Sequence, residues 1–86
     1  MNDEQSKIYD AIDKILWADW DPIGLNDNEA ARDEYKGYTF RVFKLKRQGA
    51  DKERISKYLL ELEKHSMRLL GDSERCKRVA AQIYNL

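Results

Sequence analysis

The sequence of 86 residues contains one cysteine, one proline, one histidine and four glycines. The single thiol, Cys76, cannot form an internal disulfide, and a lone cysteine is more often a small packing residue than a nucleophile. With His65 as the only histidine, the chain has no Cys/His cluster for zinc. The segment from Asp19 begins like a calcium loop, but Ile23 and Ala30 stand where oxygen ligands are required. We therefore interpret Cys76 as structural and expect neither a metal nor a cofactor.

The sequence also lacks a long apolar run. No stretch has the length and composition of a signal peptide or a membrane-spanning helix, so we expect a cytoplasmic location and no membrane partner. Hydrophobic residues nevertheless make up 42% of the chain and charged residues 37%, a composition that favours a folded domain over a disordered one. At this length, residues 1–86 are expected to form a single domain.

Motifs that carry catalysis are missing as well. The chain has no glycine-rich phosphate loop and no nucleophile elbow. A dyad of His65 and Cys76 would need contact between two helices, and no acid is spaced to orient the imidazole. The paired carboxylates lie on helix faces predicted to be solvated, without the apolar enclosure that shifts a pKa. These observations predict a protein that is not an enzyme and has no small-molecule substrate.

Apolar residues recur with helical spacing in four segments of the chain. The four predicted stripes are Ile8, Ile12, Ile15 and Leu16; Ala31, Tyr35, Tyr38, Val42 and Leu45; Ile55, Tyr58, Leu59, Leu62 and Leu69; and Cys76, Val79, Ala80 and Ile83. Each stripe places its side chains on one face of a helix. The pattern predicts an all-α fold, a compact antiparallel four-helix bundle.

Capping residues and turn residues mark the ends of these helices. Asn2 and Asp51 are predicted N-caps of the first and third helices, and Asp72 or Ser73 caps the fourth. Asp27 or Asn28 is the predicted cap of the second helix. Gly49 and Gly71 are predicted to end the second and third helices. The first helix is expected to end near residue 18, and Pro22 predicts an ordered loop over residues 20–27, held to the core by its apolar side chains.

The charges are balanced overall but segregated along the chain. Residues 1–35 contain ten acidic and three basic side chains, and the remaining residues carry the compensating excess of seven positive charges. Acidic and basic surfaces steer partners of opposite charge, so the two parts of the chain predict different kinds of partner.

The first predicted binding surface is acidic. A regular first helix would turn Trp17 away from the apolar stripe and towards the side that carries Asp10 and Asp13. Tryptophan is enriched at protein interfaces, and carboxylates around it would attract a basic protein. The candidate residues, called the acidic surface below, are Asp10, Asp13, Trp17, Asp19, Asp21, Asp27 and Glu29. The alternative is that the loop covers Trp17 and that the acids are only solvated.

The second predicted binding surface is basic and lies on the second helix. Phe40 lies opposite the apolar stripe of that helix, on the side of Lys36, Lys44 and Arg47, and these four residues are called the basic surface below. An aromatic ring among cations suits stacking on nucleobases and neutralising phosphates. Alternatively, Phe40 and Phe43 pack against another helix, and the cations of this helix pair with the acidic third. Net neutrality also argues against nucleic acid as a partner.

The segment Trp20-Asp21-Pro22-Ile23-Gly24, followed by Asp33-Glu34-Tyr35 and later by Gly49-Ala50-Asp51, resembles a family of small helical bacterial proteins. In that family a Trp-Asp-Pro motif joins the first two helices. Some similar proteins are immunity proteins of contact-dependent growth inhibition systems, which neutralise toxin domains delivered by neighbouring cells. The resemblance therefore implies an immunity protein whose partner is a cognate toxin domain.

The function predicted from the sequence combines this resemblance with the acidic surface. We expect an immunity protein, or antitoxin, that occludes the active site of a basic nuclease toxin. The alternative is a nucleic-acid-binding or regulatory module that uses the basic surface. A helical domain that associates only with itself is the third hypothesis.

Overall fold

The computed structural model describes residues 2–20, 32–66 and 69–86, with side chains described for residues 2–20, 36–65 and 69–86. These residues form four α-helices: α1 (Asp3–Ile15), α2 (Arg32–Arg47), α3 (Lys52–Glu61) and α4 (Ser73–Tyr84). Together they make an all-α four-helix bundle, and no strand occurs in the described ranges. The predicted fold class is confirmed.

Short polar side chains begin the helices as predicted. The Asn2 side chain accepts a hydrogen bond from the Gln5 amide at 2.8 Å, and the Gln5 side chain in turn accepts from the Asn2 amide at 3.3 Å. This reciprocal pair is a capping box. Asp51 accepts from the Arg54 amide at 2.8 Å, and Asp72 accepts from the Arg75 amide at 3.0 Å. Each cap satisfies a backbone donor that the first turn of a helix leaves unpaired.

Two glycines have a left-handed backbone conformation between helical segments. Gly49 has a φ of +84° directly after α2, and Gly71 has a φ of +90° before α4. A side chain at Gly71 would meet the Leu60 side chain at 2.9 Å, so glycine is required there by space as well as by backbone conformation. The predicted cap of α2 at Asp27 or Asn28 lies outside the described residues.

Two helices end in a π-helical turn that the periodicity does not predict. Residues Leu16–Trp20 continue α1, and residues Leu62–Ser66 continue α3. The first helical segment is therefore longer than expected, and Trp20 belongs to its last turn instead of to a loop. Single π turns are rare and are frequent at functional sites. Trp20 is 1% exposed, which confirms the prediction that this ring anchors the segment to the core.

Most of the core comes from the predicted stripes. Among the described residues, the buried hydrophobic members of the stripes are Ile12, Leu16, Val42, Ile55, Leu59, Leu62, Cys76, Val79, Ala80 and Ile83. Trp20, Phe43 and Ala50 are also buried in the core, although they belong to none of the four stripes. Each fully buried aliphatic side chain contributes about 1.5–3 kcal/mol to stability. The most extensive helix pair is α3 with α4, whereas α2 and α3 make a smaller contact.

Candidate functional site

The described part of the acidic surface is smaller than the sequence predicts. Asp10 and Asp19 are exposed, and Trp17 is partly buried with its ring packed against the core. Asp21, Asp27 and Glu29 lie outside the described residues.

Asp13 is a correction to the predicted acidic surface. It is only 8% exposed, and its carboxylate accepts a hydrogen bond from the Thr39 hydroxyl at 3.0 Å. A helical wheel places Asp13 beside Trp17, but α2 packs over this part of α1 and buries the carboxylate against Thr39, which is itself fully buried. The expectation that Asp13 faces solvent is wrong. A buried carboxylate holding two helices together is a structural group.

Tyr9 lies near Asp10 and Asp13 on α1, and their negative charges affect its pKa. Burial, followed by the nearby carboxylates of Asp13 and Asp10, raises the pKa of the Tyr9 phenol. The Tyr9 ring packs edge-on against Phe43, with centroids 5.6 Å apart. Phe43, 3% exposed, therefore belongs to the interface of α1 with α2, as one of the two hypotheses for this ring required.

The basic surface is exposed at every predicted position. Lys36, Lys44 and Arg47 are exposed, and Phe40 keeps 52% of its surface accessible to solvent. The Lys44 ammonium lies 5.7 Å from the centre of the Phe40 ring, a cation–π distance. The hypothesis that Phe40 packs against another helix is therefore wrong for the described part of the chain. Phe40 therefore lies on the surface of α2 among its cations.

Three exposed cations of α2, Arg41, Lys44 and Arg47, make no ion pair with any residue that the structure describes. The Lys46 ammonium donates to the Tyr84 carbonyl at 3.0 Å, and the Arg47 guanidinium lies 5.8 Å from the Phe43 ring. The positive charge of this helix is consequently available to a ligand.

A buried polar cluster, which sequence reasoning missed, centres on Glu63. The Glu63 side chain is fully buried, yet it lies in the π turn after α3. One carboxylate oxygen accepts from the Trp20 indole N–H and from the Cys76 thiol, both at 2.8 Å. The other accepts from the Asp72 amide at 2.9 Å and from the Arg75 guanidinium at 3.1 Å. These residues are called the Glu63 cluster below. Four donors satisfy both oxygens of the buried charge.

A signal for this cluster is present in the sequence. Glu63 stands eight residues after Ile55 and four after Leu59, which places it inside the apolar stripe of the third helix. A charged residue at a core position needs a partner of opposite charge, and Arg75 supplies it. The cluster ties the ends of two helical segments to the start of α4, so it fixes the architecture around Trp20.

The two residues considered for nucleophilic catalysis do not meet. His65 is exposed, whereas Cys76 is buried, and its thiol donates a hydrogen bond to the Glu63 carboxylate. Burial, followed by the hydrogen bond and the charge of Glu63, raises the pKa of the Cys76 thiol to about 12. At neutral pH this side chain is a thiol, and a thiolate is the nucleophilic form. The interpretation of Cys76 as a packing residue is confirmed by its complete burial.

The described residues contain no group of three or more His, Cys, Asp or Glu side chains placed to hold a metal ion. Among them, no helix combines the length and the apolar character needed to cross a membrane.

Comparisons with known proteins give no match to a family model, to a curated protein or to a solved structure. The function is therefore inferred from the geometry of the surfaces described above.

Proposed function

We propose that this chain is a non-catalytic binding domain that holds single-stranded nucleic acid on the basic surface of α2. The observation that carries the proposal is Phe40, which is 52% exposed and has the Lys44 ammonium 5.7 Å from its ring centre. A nucleobase has a π face that can stack on such a ring, while neighbouring cations neutralise the phosphates on either side of it.

The spacing of the basic surface supports a strand lying along the helix. Lys36 and Lys44 are each four residues from Phe40, and Arg47 is seven residues away, so all three cations share the helix face of the ring. The overall neutrality of the chain weighs less once the structure is considered, because Arg41, Lys44 and Arg47 of α2 have no ion-pair partner in the described ranges. Local charge, and not net charge, attracts a strand to this face.

The test is fluorescence anisotropy with labelled single-stranded DNA and RNA over a series of salt concentrations. Lys44→Glu with Arg47→Glu should lower the affinity at least about tenfold, and Phe40→Ala should remove about 1–3 kcal/mol of stacking energy. Lys77→Glu with Arg78→Glu, on the exposed side of α4, changes the net charge equally and is the matched control. Equal losses in the two double variants, or no binding by the unchanged chain, would overturn the proposal.

A second candidate function is that of an immunity protein that binds a cognate toxin nuclease. The observation that favours it is the exposure of Asp10 and Asp19 on the first helical segment, with Trp17 partly accessible between them in sequence. Carboxylates at the edge of an aromatic ring can occupy a phosphate-binding cleft without any catalysis. The resemblance of the Trp-Asp-Pro segment to immunity proteins gives this candidate its partner.

Its test is a tagged pull-down at low and moderate salt with the bound material identified by mass spectrometry. A stoichiometric, salt-resistant partner that carries a toxin-like domain would support immunity, and Asp10→Lys with Asp19→Lys should abolish its binding. Glu53→Lys with Glu61→Lys, two exposed acids of α3, is the matched control. Asp13 is left unchanged because it is buried. Nucleic acid alone in the eluate, lost as salt rises, would count against this candidate.

A further inference from the structure

The side of the bundle formed by α2 and α3 contains an open cleft. Three depressions of about 390, 240 and 230 Å³ lie there, and Tyr58 lines all three. Leu45 of α2 lines two of them, and Arg41 of α2 also lines two. We call this region the α2–α3 cleft.

The Tyr58 side chain lines the cleft, while its hydroxyl oxygen is buried and has no hydrogen-bond partner in the described part of the chain. Buried hydroxyl groups are normally paired, because losing hydrogen bonds to water costs free energy that only a new partner restores. A tyrosine hydroxyl donates one hydrogen bond, so an acceptor in the cleft would satisfy it. Because the hydroxyl oxygen has almost no accessible surface, an acceptor in the cleft reaches it only after the ring turns or neighbouring side chains move aside.

The charges around the cleft are mostly positive. Arg41 and Lys44 line it from α2, Arg54 and Lys57 line it from α3, and Glu61 is the one acidic residue in its described lining. None of these four cations makes an ion pair with a described residue. Guanidinium groups present paired N–H donors that match the oxygens of a phosphate, so two arginines that line the cleft together with Tyr58 favour an oxyanion as the ligand.

We infer that the α2–α3 cleft binds a phosphate group, with the Tyr58 hydroxyl and the guanidinium groups of Arg41 and Arg54 as its donors. The source of the phosphate rests on the proposed function: Lys44 lines the cleft and also lies over Phe40, so a strand stacked on Phe40 would bring a backbone phosphate to the cleft. A free phosphate compound is the other source of the same chemistry.

The groove between α3 and α4 is a weaker site for an oxyanion. It is larger, about 470 Å³, and Lys52, Lys57 and Lys77 surround the Leu60 side chain in it. Its cations are ammonium groups without a guanidinium, and the Lys52 ammonium already lies 5.6 Å from the centre of the Tyr84 ring. The cleft with Tyr58 therefore carries the inference.

The experiment is an NMR titration of the intact chain, following backbone amides, with sodium pyrophosphate at constant ionic strength. Amides near Arg41, Tyr58 and Glu61 should shift and saturate. Tyr58→Phe removes only the hydroxyl and should weaken pyrophosphate binding about tenfold, the usual worth of a hydrogen bond to a charged group. Tyr84→Phe, at an exposed tyrosine, should leave the affinity unchanged. A titration without saturation, or equal affinity in Tyr58→Phe and the unchanged chain, would overturn the inference.

A second arm separates this inference from the proposed function. If a strand supplies the phosphate, Tyr58→Phe should also weaken oligonucleotide binding about tenfold, and pyrophosphate should compete with the strand. Saturable pyrophosphate binding without any strand binding would support the cleft and make a free phosphate compound its ligand, while the proposed function fails. Strand binding that depends on Phe40 but is unaffected by Tyr58→Phe and by pyrophosphate would leave the proposed function standing and overturn the inference.

Discussion

The Glu63 carboxylate and the Tyr58 hydroxyl are two buried polar groups with opposite hydrogen bonding. At Glu63 a fully buried carboxylate receives four hydrogen bonds, whereas at Tyr58 a buried hydroxyl has none in the described residues. The first lies beside the most extensive helix pair, α3 with α4, and the second belongs to a side chain that lines the cleft between α2 and α3. A satisfied polar group holds a fold together, while an unsatisfied one beside unpaired cations indicates a place for a ligand.

The largest change in stability is expected from Glu63→Ala. It leaves the Arg75 guanidinium and the Trp20 indole N–H without their acceptor, and breaking a buried pair in this way costs about 3–5 kcal/mol. Urea denaturation followed by circular dichroism measures the loss. Glu61→Ala, at an exposed glutamate of the same helical segment, should change the free energy of unfolding by less than about 0.5 kcal/mol. Equal stability of the two variants would show that the Glu63 cluster does not stabilise the fold, and the contrast between Glu63 and Tyr58 would then be lost.

The next largest effect is expected in the rate at which the Cys76 thiol reacts with a labelling reagent. With its pKa raised from 9.0 to about 12, the thiol should react with Ellman's reagent at pH 8 about a thousandfold more slowly in the folded chain than in urea. Rapid labelling under native conditions would show that the cluster opens readily.

The same pKa predicts how stability depends on pH. Because the folded state raises the pKa, it favours the protonated thiol, so this contribution to stability is complete below about pH 9 and is lost as the pH rises towards 12. Cys76→Ala should lack that part of the decline in urea denaturation at alkaline pH. Parallel declines in the two proteins would assign the whole effect to other groups.

The smallest effect is expected at Tyr58. Tyr58→Phe removes a buried hydroxyl without a partner, so the free energy of unfolding should stay the same or rise by up to about 1 kcal/mol. Urea denaturation of this variant and of Tyr84→Phe provides the comparison. A loss of more than about 1 kcal/mol in Tyr58→Phe alone would mean that the hydroxyl has a partner within the fold, and the cleft would then resemble the Glu63 cluster.

The sequence predicts features of this fold that depend on neighbours along the chain. Asn2 and Asp51 are recognisable as caps because their partners are three residues away. The exposure of Phe40 follows from its position opposite the apolar stripe of α2. The π turns are not predicted, because apolar periodicity locates a helix without defining the hydrogen-bonding pattern of its last turn.

Features that depend on distant residues were missed or wrongly predicted. The burial of Asp13 depends on Thr39, which lies 26 residues away, and the Trp20 partner of Glu63 lies 43 residues away. A helical wheel compares residues of one helix only, so it shows neither of these contacts. The unpaired hydroxyl of Tyr58 is a property of the space between two helices, so periodicity assigned this residue to the core without showing the cleft.

The indole N–H of Trp20 donates a hydrogen bond to Glu63 at 2.8 Å, so its exchange rate measures how often this part of the fold opens. An indole proton resonates apart from the backbone amides, and its exchange with deuterium requires the bond to Glu63 to open. If this proton exchanges together with the slowest amides of α3, the junction opens only when the whole domain unfolds. If it exchanges earlier, the end of the first helical segment detaches as a separate unit, and the free energy of that local event can be read from a single resonance.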